Sequence, residues 1–517
     1  MHDAIRPEPA SPQLTVGLVG CGVMGRGIAQ IAALAGAQVR LTDARNGAAE
    51  AAQAELIATF NKLAEKGKLD QAAADAAGKR LHACAGLPDL ADCHVVIEAI
   101  IEDLGAKKAL FGELEGIVGP HAILATNTSS LSVTAIAAGL KHPQRVAGFH
   151  FFNPVPLMKI VEAIGGFLTD PEIVDYLLAL GKHWGHTAVR AKDTPGFIVN
   201  HAGRGYGTEG MRLLNEGVAS VPALDAILRD TAGFRLGPCE LFDLTGLDVS
   251  HPVMESIYHQ YYEEPRFRPQ GLTRQMLVAG ALGRKVGHGF YRYADGRKEA
   301  LDEPAQPKQL PASVWLSQER PELAERIAPL VAAAGVPIES GARPSDSALC
   351  IVTPLGEDAT TCCVREGLDG RRTVAVEALF DASRRRVVMT TPATDAQYLA
   401  MACGLFGAAG TAGAHVPVSV IRDSAGLVTQ RVVAHIVNIA CEIAQQGIAD
   451  PQDIDRAVTL GLGYPLGPLA WGDQLGPKTV LFILKSLEQQ TGDPRYRPSP
   501  WLQRRALLGL SLHHKEI

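Results

Sequence analysis

Short apolar runs alternate with longer amphipathic stretches along the first 190 residues, and this alternation predicts the fold of that region. The runs are as short and as continuously apolar as the strands of a sheet that is covered on both faces. Because a helical stretch separates each run from the next, the strands are expected to lie mostly parallel in a doubly wound α/β sheet. The predicted strands are Val16–Val19, Val39–Leu41, Val95–Glu98, Ile123–Thr126, Val146–Phe151 and Lys159–Ala163.

The remaining pattern predicts helical regions and one further sheet. Residues Gly47 to Lys79 are too long and too helical for a simple connection, so we expect an inserted pair of helices there. From Ala191 to Leu282 the strand-like runs stop and amphipathic helices take over. Residues 346–420 return to strand-like runs and are expected to form a small α/β unit without a glycine fingerprint. The predicted strands of that unit are Ala348–Thr353, Thr373–Glu377 and Val387–Thr391.

The chain contains an internal repeat. KDTPGFIVN at Lys192–Asn200 returns as RDSAGLVTQ at Arg422–Gln430, 230 positions later. The same displacement pairs further residues without a gap, and most of them are glycines or prolines with special backbone roles. We therefore infer that one helical domain occurs twice. The further pairs are Gly217 with Gly447, Asp225 with Asp455, Gly233 with Gly463, Gly237 with Gly467, Pro238 with Pro468, Asp243 with Asp473, and Gly246 with Gly476.

The segment from Thr15 to Asp43 combines a strand, a glycine-rich turn, a helix, a second strand and an acid, and it predicts a dinucleotide site. Gly20 permits the tight turn, Gly22 lets the backbone approach a pyrophosphate, and Gly25 lets the helix pack close to the sheet. The amino end of the helix adds free N–H groups and a partial positive charge for the phosphates. The residues that this fingerprint assigns to the cofactor are Gly20, Gly22, Val23, Met24, Gly25 and Asp43.

The acid that ends the second strand indicates which dinucleotide binds. Asp43 is placed where a carboxylate can accept hydrogen bonds from both ribose hydroxyls of an adenosine, and it would repel a 2′-phosphate, so NAD is favoured over NADP. Arg45, two residues further on, keeps NADP open. The competing interpretation is an ordinary parallel-sheet turn with a solvated Asp43, but the full strand–helix–strand–acid context favours the cofactor site.

These patterns together predict the architecture. The fold class is α/β Rossmann, a doubly wound and mostly parallel sheet, followed by an all-α domain, with a small α/β insert and a second all-α copy at the carboxyl terminus. The predicted segments are a disordered leader (1–12), the NAD-binding domain (13–190), a helical substrate or dimerisation domain (191–293), a linker (294–345), the small α/β domain (346–420) and the second helical domain (421–517).

Two residues on successive predicted strands form the candidate catalytic pair. His150 ends one strand in GFHFFNPVP, and Glu162 lies on the next strand in KIVEAI. The two prolines between them are expected to force an extended turn, so that the flanking strands bring the two side chains side by side. A histidine that is oriented by a carboxylate is the usual construction of a general base near neutral pH.

Each of these residues also has a purely structural interpretation. A strand-end histidine often caps a buried carbonyl, a strand glutamate is commonly solvated, and Ser129 is equally well placed to cap a helix that begins near Leu131. Asn127 and Ser129 follow a strand end, however, where doubly wound sheets bind their ligands. The pairing of His150 with Glu162 beside a dinucleotide site favours catalysis.

Composition and charge exclude several other classes of protein. The chain has 517 residues, of which 47% are hydrophobic and 20% charged, which is typical of a globular protein of about three to four domains. A net charge of -6 offers no basic surface to nucleic acid or to an anionic membrane. No apolar stretch is long enough for a bilayer, and no signal peptide opens the chain. The nine cysteines show no metal-ligand spacing and predict buried thiols in a reducing cytoplasm.

Four motifs in order and spacing resemble one known family. GxGxxGxGIA, NTSSL, GFHFFNPVPLMKIVE and KDTPGFIVN are similar to the motifs of the L-3-hydroxyacyl-CoA dehydrogenases. The order of domains resembles the longer bacterial form that has a duplicated helical domain and is associated with phenylacetate catabolism. The resemblance implies NAD as the cofactor and a 3-hydroxyacyl-CoA substrate, such as 3-hydroxyadipyl-CoA or 3-hydroxybutyryl-CoA.

The resemblance also implies roles for individual residues. His150 would take the proton from the substrate 3-hydroxyl, and Glu162 would orient His150. Ser129 and Asn200 would hydrogen-bond the substrate, and Lys66 would contact coenzyme A, although Thr59 replaces a serine of the family beside it. The residues implied on the cofactor side, besides the glycine turn, are Asp43, Glu102, Lys107, Asn127, Ser129 and Asn153.

Two alternatives and two open points remain from the sequence alone. The chain could be a catalytically silent NAD-binding or sensor protein of the same fold, or a dehydrogenase of free β-hydroxy acids. Such dehydrogenases have a catalytic lysine on the helical domain, and Lys192 could be misread as that lysine, but its DTPGF context belongs to the acyl-CoA pattern. In the second helical copy Gln430 replaces the asparagine equivalent to Asn200, so that copy is expected to be silent, and the two copies could mimic the dimer of the shorter members. Arg204 and Arg212 are candidates, by position only, for the cation that a dicarboxylic acyl chain would need.

Overall fold

The computed structural model describes residues 6–300, 303, 305–408 and 415–516. The chain divides into two compact units, which are described separately. The first comprises Met1–His201 and Gln446–Leu462, and the second comprises Ala202–Gln445 and Gly463–Ile517.

The first unit is built on an eight-stranded sheet with the order β3-β2-β1-β4-β5-β6-β7-β8. All neighbours are parallel except β6 and β7, which are antiparallel, and the doubly wound prediction is confirmed. The short β3 and the half-exposed β8 were not predicted, because neither makes a continuous apolar run. The strands are β1 Thr15–Val19, β2 Gln38–Thr42, β3 Leu81–Ala83, β4 Val95–Glu98, β5 Ile123–Thr126, β6 Val146–Phe151, β7 Ile160–Gly165 and β8 Thr187–Lys192.

Six helices connect these strands, and α2 and α3 form the predicted inserted pair. Helices α1 and α6 pack against the sheet in one apolar core, which includes Ile28 and Leu177. Helix α3 begins at a true cap, since the Asp70 carboxylate accepts hydrogen bonds from two backbone amides. The helices are α1 Val23–Leu34, α2 Ala48–Glu65, α3 Gln71–Lys79, α4 Leu104–Ile117, α5 Val133–Ala137 and α6 Pro171–His183.

Arg6 and Pro7 make contacts with distant parts of the first unit. The Arg6 guanidinium donates to the carbonyl oxygen of His121 (2.8 Å), and the Tyr176 hydroxyl donates to that of Pro7 (2.7 Å). The prediction of a disordered leader is therefore wrong for residues 6–12, and residues 1–5 lie outside the described part of the chain. These contacts are not visible in the sequence pattern, because their partners lie more than 100 positions away.

The second unit contains a five-stranded sheet with the order β11-β12-β13-β14-β15. Only β13 and β14 are antiparallel, so the sheet repeats the succession of β4 to β8. Strand β11 is part of this sheet, and helix α12 packs against β11. The prediction of a linker over 294–345 is therefore wrong for the residues of these two elements. The elements are β11 Val314–Leu316, α12 Pro321–Ala333, β12 Leu349–Val352, α13 Ala359–Arg365, β13 Thr373–Val376, β14 Arg386–Thr390, α14 Ala396–Ala408 and β15 Val418–Ile421.

The two helical copies have the same succession of helices. The first ends in a short hairpin, β9 Tyr293–Ala294 with β10 Arg297–Lys298. Helix α16 of the second copy belongs to the first unit, where the amide of Lys192 donates to the carbonyl oxygen of Ile448 (2.9 Å). The helices are α7 Val199–Asn215, α8 Val221–Ala232, α9 Pro238–Thr245, α10 Leu247–Gln260 and α11 Gly271–Val278, then α15 Thr429–Gln445, α16 Pro451–Leu462, α17 Pro468–Leu475, α18 Pro477–Thr491 and α19 Pro500–Leu508.

Within the second unit a buried charge cluster joins the two copies. Glu209 of α7 is fully buried and accepts a hydrogen bond from Arg431 Nε of α15 (2.6 Å). Arg495 lies 3.3 Å from the other carboxylate oxygen, and the Tyr496 hydroxyl donates to Glu209 (2.5 Å). These contacts tie α7 of the first copy to α15 of the second copy through buried charges.

His435 makes the packing of the two copies sensitive to acid. The buried ring lies in α15, where Nε2 donates to the carbonyl oxygen of Arg266 (3.2 Å). Burial, with a smaller contribution from the Arg495 charge, lowers the pKa of His435 to about 3, although Glu209 opposes this shift. Because the unfolded chain takes up this proton near pH 6.5, stability is full above that pH and falls as the pH drops toward 3. We expect the free energy of unfolding to fall by about 2 kcal/mol from pH 7 to 5 through this residue, measured by urea denaturation.

The matched variant is His435→Gln, which does not titrate and retains a donor for Arg266. Its loss of stability between pH 7 and 5 should be smaller than that of the wild type by the same amount. Equal losses in the two proteins would contradict the assignment.

The described helices include none that is long and apolar enough to cross a membrane. All nine cysteines are unpaired and all except Cys84 are buried, as predicted.

Candidate active site

His150 and Glu162 face each other across the antiparallel pair of the eight-stranded sheet. The two residues are directly opposite in the register of β6 and β7. His150 Nδ1 lies 2.6 Å from Glu162 Oε2, and the two side chains are 5% and 0% exposed. Since a carboxylate can only accept in this contact, Nδ1 is assigned the proton and Nε2 is left as the basic nitrogen.

The segment that joins these strands is more compact than expected. The amides of Leu157 and Met158 both donate to the carbonyl oxygen of Pro154 (2.9 Å each), so the chain makes a tight turn and the prediction of an extended turn is wrong. Helix α1 packs against this turn, and a Cβ on Gly27 would approach Val155 to 2.8 Å. The two catalytic candidates still lie side by side, because the antiparallel pairing of β6 and β7 aligns them.

Glu162 has a second role that the sequence did not indicate. Its other oxygen, Oε1, accepts hydrogen bonds from the amides of Ile198 (2.9 Å) and Val199 (3.0 Å), where helix α7 begins. A helix leaves its first amides without internal partners, and a carboxylate there also meets the positive end of the helix dipole. One buried acid thus holds both His150 and the start of α7.

The start of α7 is also linked to the loop after β5. Asn200 Nδ2 donates to the carbonyl oxygen of Ser129 (3.2 Å), so the two predicted substrate-binding residues are adjacent. Asn127 Oδ1 accepts from the amide of Phe151 (2.8 Å) and fixes the strand next to His150. Asn127 therefore has a positioning contact in addition to the cofactor contact predicted for it.

Glu102 organises the loop that carries Ser129. Its Oε1 accepts hydrogen bonds from the amide of Ser129 (2.8 Å), the amide of Ser130 (3.1 Å) and the hydroxyl of Thr128 (2.7 Å). Its Oε2 lies 3.3 Å from the ammonium group of Lys107. These contacts hold the Ser129 backbone in place, whereas Ser132, not Ser129, caps the following helix α5.

A buried acid missed by the sequence analysis completes this network. Glu98, at the end of β4, is fully buried and accepts from Lys107 Nζ (2.5 Å), Thr126 Oγ1 (2.8 Å) and the amide of Ile100 (2.7 Å). Lys107 is 1% exposed. It acts as an internal counter-charge to Glu98 and Glu102 in this structure. The sequence feature that could have revealed Glu98 is an acid at the carboxyl end of an otherwise apolar strand.

The glycine turn after β1 fits a dinucleotide phosphate. A Cβ on Gly20, whose φ is +100°, would lie 2.6 Å from the carbonyl oxygen of Ala99, and one on Gly25 would lie 1.8 Å from that of Gly20. A Cβ on Gly22 would meet no atom within 4 Å, so the turn is open on that side. No side chain caps α1, which begins at Val23, and its first amides are available to an anion. Met24, which is also predicted to contact the cofactor, lies in the first turn of α1.

Asp43 and Arg45 form one unit at the end of β2. The Asp43 carboxylate accepts from the amide of Cys21 (2.8 Å) and from the amide and Nε of Arg45 (3.0 Å each). The hydrogen bond from the Arg45 side chain lowers the pKa of Asp43 to about 2, so Asp43 is an anion at neutral pH. The anionic Asp43 carboxylate at this position disfavours a 2′-phosphate, and this arrangement favours NAD.

Asn153 and Lys66 lie at different places in the first unit. Asn153 and Thr59 line a cavity of 310 Å³ between α1, α2 and the turn after β6, together with Arg26 and Leu157. Lys66, the predicted coenzyme A contact, is exposed at the carboxyl end of α2 and is not among the lining residues.

In the second unit, the place in the small α/β sheet that corresponds to His150 holds a different pair. RRTVAVE, which ends at Glu377, takes the place of QRVAGFH, which ends at His150. Glu377 is buried, burial raises its pKa, and its Oε1 accepts from Gln430 Nε2 (3.0 Å). Gln430 also donates to the carbonyl oxygen of Pro354 (3.2 Å). The place of His150 is therefore taken by an acid whose Oε1 is bonded to the Gln430 amide.

One doubly wound sheet in the first unit carries two features. The first is a glycine turn that can bind a phosphate, followed by an acid after β2. The second is the buried pair of the His150 imidazole and the Glu162 carboxylate. This combination defines a nicotinamide-dependent dehydrogenase.

Comparison with known families identifies the dehydrogenase family to which the chain belongs. The family model “3-hydroxyacyl-CoA dehydrogenase, NAD binding domain” matches residues 15–194. The model “3-hydroxyacyl-CoA dehydrogenase, C-terminal domain” matches twice, over residues 196–293 and 426–513, in agreement with the inferred repeat. The chain belongs to the 3-hydroxyacyl-CoA dehydrogenase family. It is an NAD-dependent enzyme that oxidises an L-3-hydroxyacyl-CoA to the 3-oxoacyl-CoA.

Some relatives share the full length of the chain. The 3-hydroxyadipyl-CoA dehydrogenase of Escherichia coli (strain K12) is 38% identical over 509 residues, which cover 96% of this chain and 98% of the relative. A crystal structure of a 3-hydroxybutyryl-CoA dehydrogenase from Escherichia coli K12 superposes with a TM-score of 0.84 at 36% identity, with 96% of this chain and 98% of that chain covered. A shorter (S)-3-hydroxybutyryl-CoA dehydrogenase from Ralstonia eutropha is 38% identical, has a TM-score of 0.53, and covers 54% of this chain with 99% of its own.

Proposed function

We propose that this enzyme oxidises the dicarboxylic substrate 3-hydroxyadipyl-CoA and that His150 is its general base. The observation that carries the chemical assignment is the 2.6 Å contact between His150 Nδ1 and Glu162 Oε2. The choice of acyl group is supported by the full-length relative that is named a 3-hydroxyadipyl-CoA dehydrogenase.

His150 takes the proton of the substrate hydroxyl at Nε2. As the C3–O bond becomes a carbonyl, the O–H proton goes to the imidazole and the hydrogen on C3 leaves with its electron pair. Bound NAD supplies the acceptor for that hydride. Glu162 keeps Nδ1 protonated and stabilises the imidazolium that forms.

Ser129 and Asn200 position the substrate. Both lie where the loop after β5 meets the start of α7, and both carry neutral hydrogen-bonding groups that suit a hydroxyl and a thioester carbonyl. The glycine turn would hold the phosphates of the cofactor, Asp43 would hold the adenosine ribose, and Asn127, Ser129 and Asn153 would lie toward the nicotinamide. Lys66 contacts coenzyme A from the end of α2.

Two further assignments belong to this proposal. The enzyme works in the cytoplasm, where acyl-CoA and NAD are both available. The second helical copy and the small α/β sheet that precedes it are catalytically silent, because Glu377 and Gln430 stand in place of His150 and Asn200. The Glu209–Arg431 cluster takes over part of the contact that two chains would otherwise make. A homodimer of the whole chain would require further contacts beyond this cluster.

The substrate assignment is tested by steady-state kinetics in the reducing direction. We expect kcat/KM with NADH to be highest for 3-oxoadipyl-CoA and lower for 3-oxohexanoyl-CoA and acetoacetyl-CoA, because only the first offers a charged end. A buried charge–charge contact discriminates by about 10-fold or more. Equal or higher values for the uncharged substrates would refute the dicarboxylic assignment, and 3-hydroxybutyryl-CoA, named for the solved relative, would then be the better candidate.

A further inference from the structure

The acid of the KDTPGF motif holds the loop that carries Ser129. Asp193 lies between β8 and α7, and its Oδ1 accepts a hydrogen bond from the amide of Val133 (2.9 Å). Its Oδ2 accepts from the hydroxyl of Ser132 (2.8 Å) and from the amide of Thr134 (2.7 Å). These three donors belong to the cap and the first turn of helix α5, which follows the Ser129 loop. Asp193 therefore fixes the end of that loop to the segment that leads into α7.

The two segments that Asp193 joins also meet at the proposed substrate residues. Asn200, seven residues after Asp193, donates from Nδ2 to the carbonyl oxygen of Ser129 (3.2 Å), which lies three residues before Ser132. Glu102 also holds the loop, through the amide of Ser129 (2.8 Å), but it comes from the segment after β4. Of these two acids, Asp193 is thus the one that sets the distance between Ser129 and Asn200.

The second copy has an acid with matching contacts. Asp423, the repeat partner of Asp193, accepts hydrogen bonds from the amides of Ala359 (2.7 Å) and Thr360 (3.2 Å) and from the Thr360 hydroxyl. These donors begin helix α13, as those of Asp193 begin α5. Both acids are partly buried, and each accepts from two amides and one hydroxyl. The two copies therefore use this acid in the same way to support the fold.

The turn that follows each acid also has the same backbone. The φ angle is +77° at Gly196 and +48° at Phe197, and it is +72° at Gly426 and +48° at Leu427. A non-glycine residue in this left-handed region costs free energy and persists where neighbouring contacts hold it. The acid and its turn thus form one unit that both copies retain.

The two copies differ in the groups that are offered to a substrate. Ser129 lies three residues before the cap of α5, whereas Leu355, which has no hydroxyl, lies three residues before Asp358, the cap of α13. Gln430 stands in place of Asn200. The second copy therefore separates the structural effect of the acid from an effect on the reaction.

We propose that Asp193 is a positioning residue for the reaction, because it holds the Ser129 hydroxyl in place relative to Asn200. This inference rests on the proposed substrate contacts of Ser129 and Asn200. A displacement of about 1 Å in a group that orients the substrate lowers the rate by up to ~10²-fold. A carboxylate that accepts three hydrogen bonds resists such a displacement, since each of these bonds is charge-assisted.

The test compares the full-length wild type with Asp193→Ala, Asp193→Asn and the matched control Asp423→Ala. Rates are measured with NADH and acetoacetyl-CoA, so the result does not depend on which acyl group the enzyme prefers. We expect kcat/KM to fall ~10²-fold in Asp193→Ala, mainly through kcat, and ~10-fold in Asp193→Asn, which retains one acceptor oxygen. Asp423→Ala should leave kcat/KM unchanged, although both alanine variants should unfold at a lower urea concentration than the wild type.

A second measurement asks whether Asp193 acts through Ser129. In a Ser129→Ala background, Asp193→Ala should lower kcat/KM much less than it does in the wild type, because the hydroxyl that it positions is already absent. An equal fall in the two backgrounds would overturn the inference.

The remaining outcomes separate this inference from the proposed function. A wild-type kcat/KM in Ser129→Ala refutes the proposed substrate contact of Ser129 and the role of Asp193 together. A loss in Ser129→Ala combined with wild-type values in Asp193→Ala overturns the role of Asp193 alone. An equal loss of kcat/KM in Asp423→Ala would show that the effect follows from stability, and it would also overturn that role. Asp193→Asn supplies the same comparison if the alanine variant does not fold.

Discussion

Replacement of His150 by glutamine is expected to lower kcat by about 10²–10⁴-fold, because an amide cannot accept the hydroxyl proton at neutral pH. The affinity for NAD should be unchanged, since the glycine turn and Asp43 lie on other strands of the sheet. The measurement is the rate of NADH formation at saturating substrate, with NAD binding followed by calorimetry on the same sample.

Asparagine at this position is the matched control, since it tests whether a shorter amide behaves in the same way. Near-normal turnover in His150→Gln would mean that another group removes the proton. Loss of NAD binding together with turnover would instead indicate that the substitution disturbs β6, and the role of His150 as the base would then lack support.

Replacement of Glu162 by glutamine is expected to lower kcat by a similar ~10²–10⁴-fold. The amide oxygen can still accept from Ile198 and Val199, so the amide nitrogen then faces His150 Nδ1 and donates to it. This contact favours the tautomer with the proton on Nε2, which removes the basic nitrogen from the substrate side. Turnover should therefore fall although the start of α7 remains capped.

Glu162→Ala separates the two roles of this acid. The alanine variant loses the contact with His150 and leaves the amides of Ile198 and Val199 without an acceptor, which should cost about 1–3 kcal/mol of unfolding free energy in addition to activity. Thermal unfolding should thus distinguish alanine from glutamine, while kcat is low in both. The double variant with His150→Gln should be scarcely slower than His150→Gln alone, because the two residues act as one unit. If the double variant instead showed the product of the two single reductions in kcat, His150 and Glu162 would not act as one unit.

The candidate catalytic pair was predictable because two strands that follow each other in the chain and pair antiparallel become neighbours in space. Once the two apolar runs were assigned to adjacent strands, a short connection left few possible registers. The structure places His150 directly opposite Glu162, although the turn between them differs from the predicted one. The glycine turn was predictable for a similar reason, since Gly20, Gly22 and Gly25 act through their own backbone.

Other parts of the site were not predictable from the pattern. Glu98 and Lys107 were assigned to a strand end and to the cofactor side, yet in the structure they form a buried ion pair beneath the loop that carries Ser129. A charged residue in the sequence has the same appearance whether it faces solvent or a buried counter-charge. The linker prediction failed because β11 has only three residues and is recognised only when paired with β12.

The sequence by itself determined the fold class, the cofactor turn, the catalytic candidates and the duplication, because each depends on residues that are close in the chain or on repetition of the same spacing. The tertiary structure decided which acid serves two purposes and which cations are already paired. The Glu162 carboxylate meets an amide 36 positions away, and Arg431 meets Glu209 across 222 positions. Such contacts depend on the packing of whole elements, and burial then gives each charge its partner and its strength.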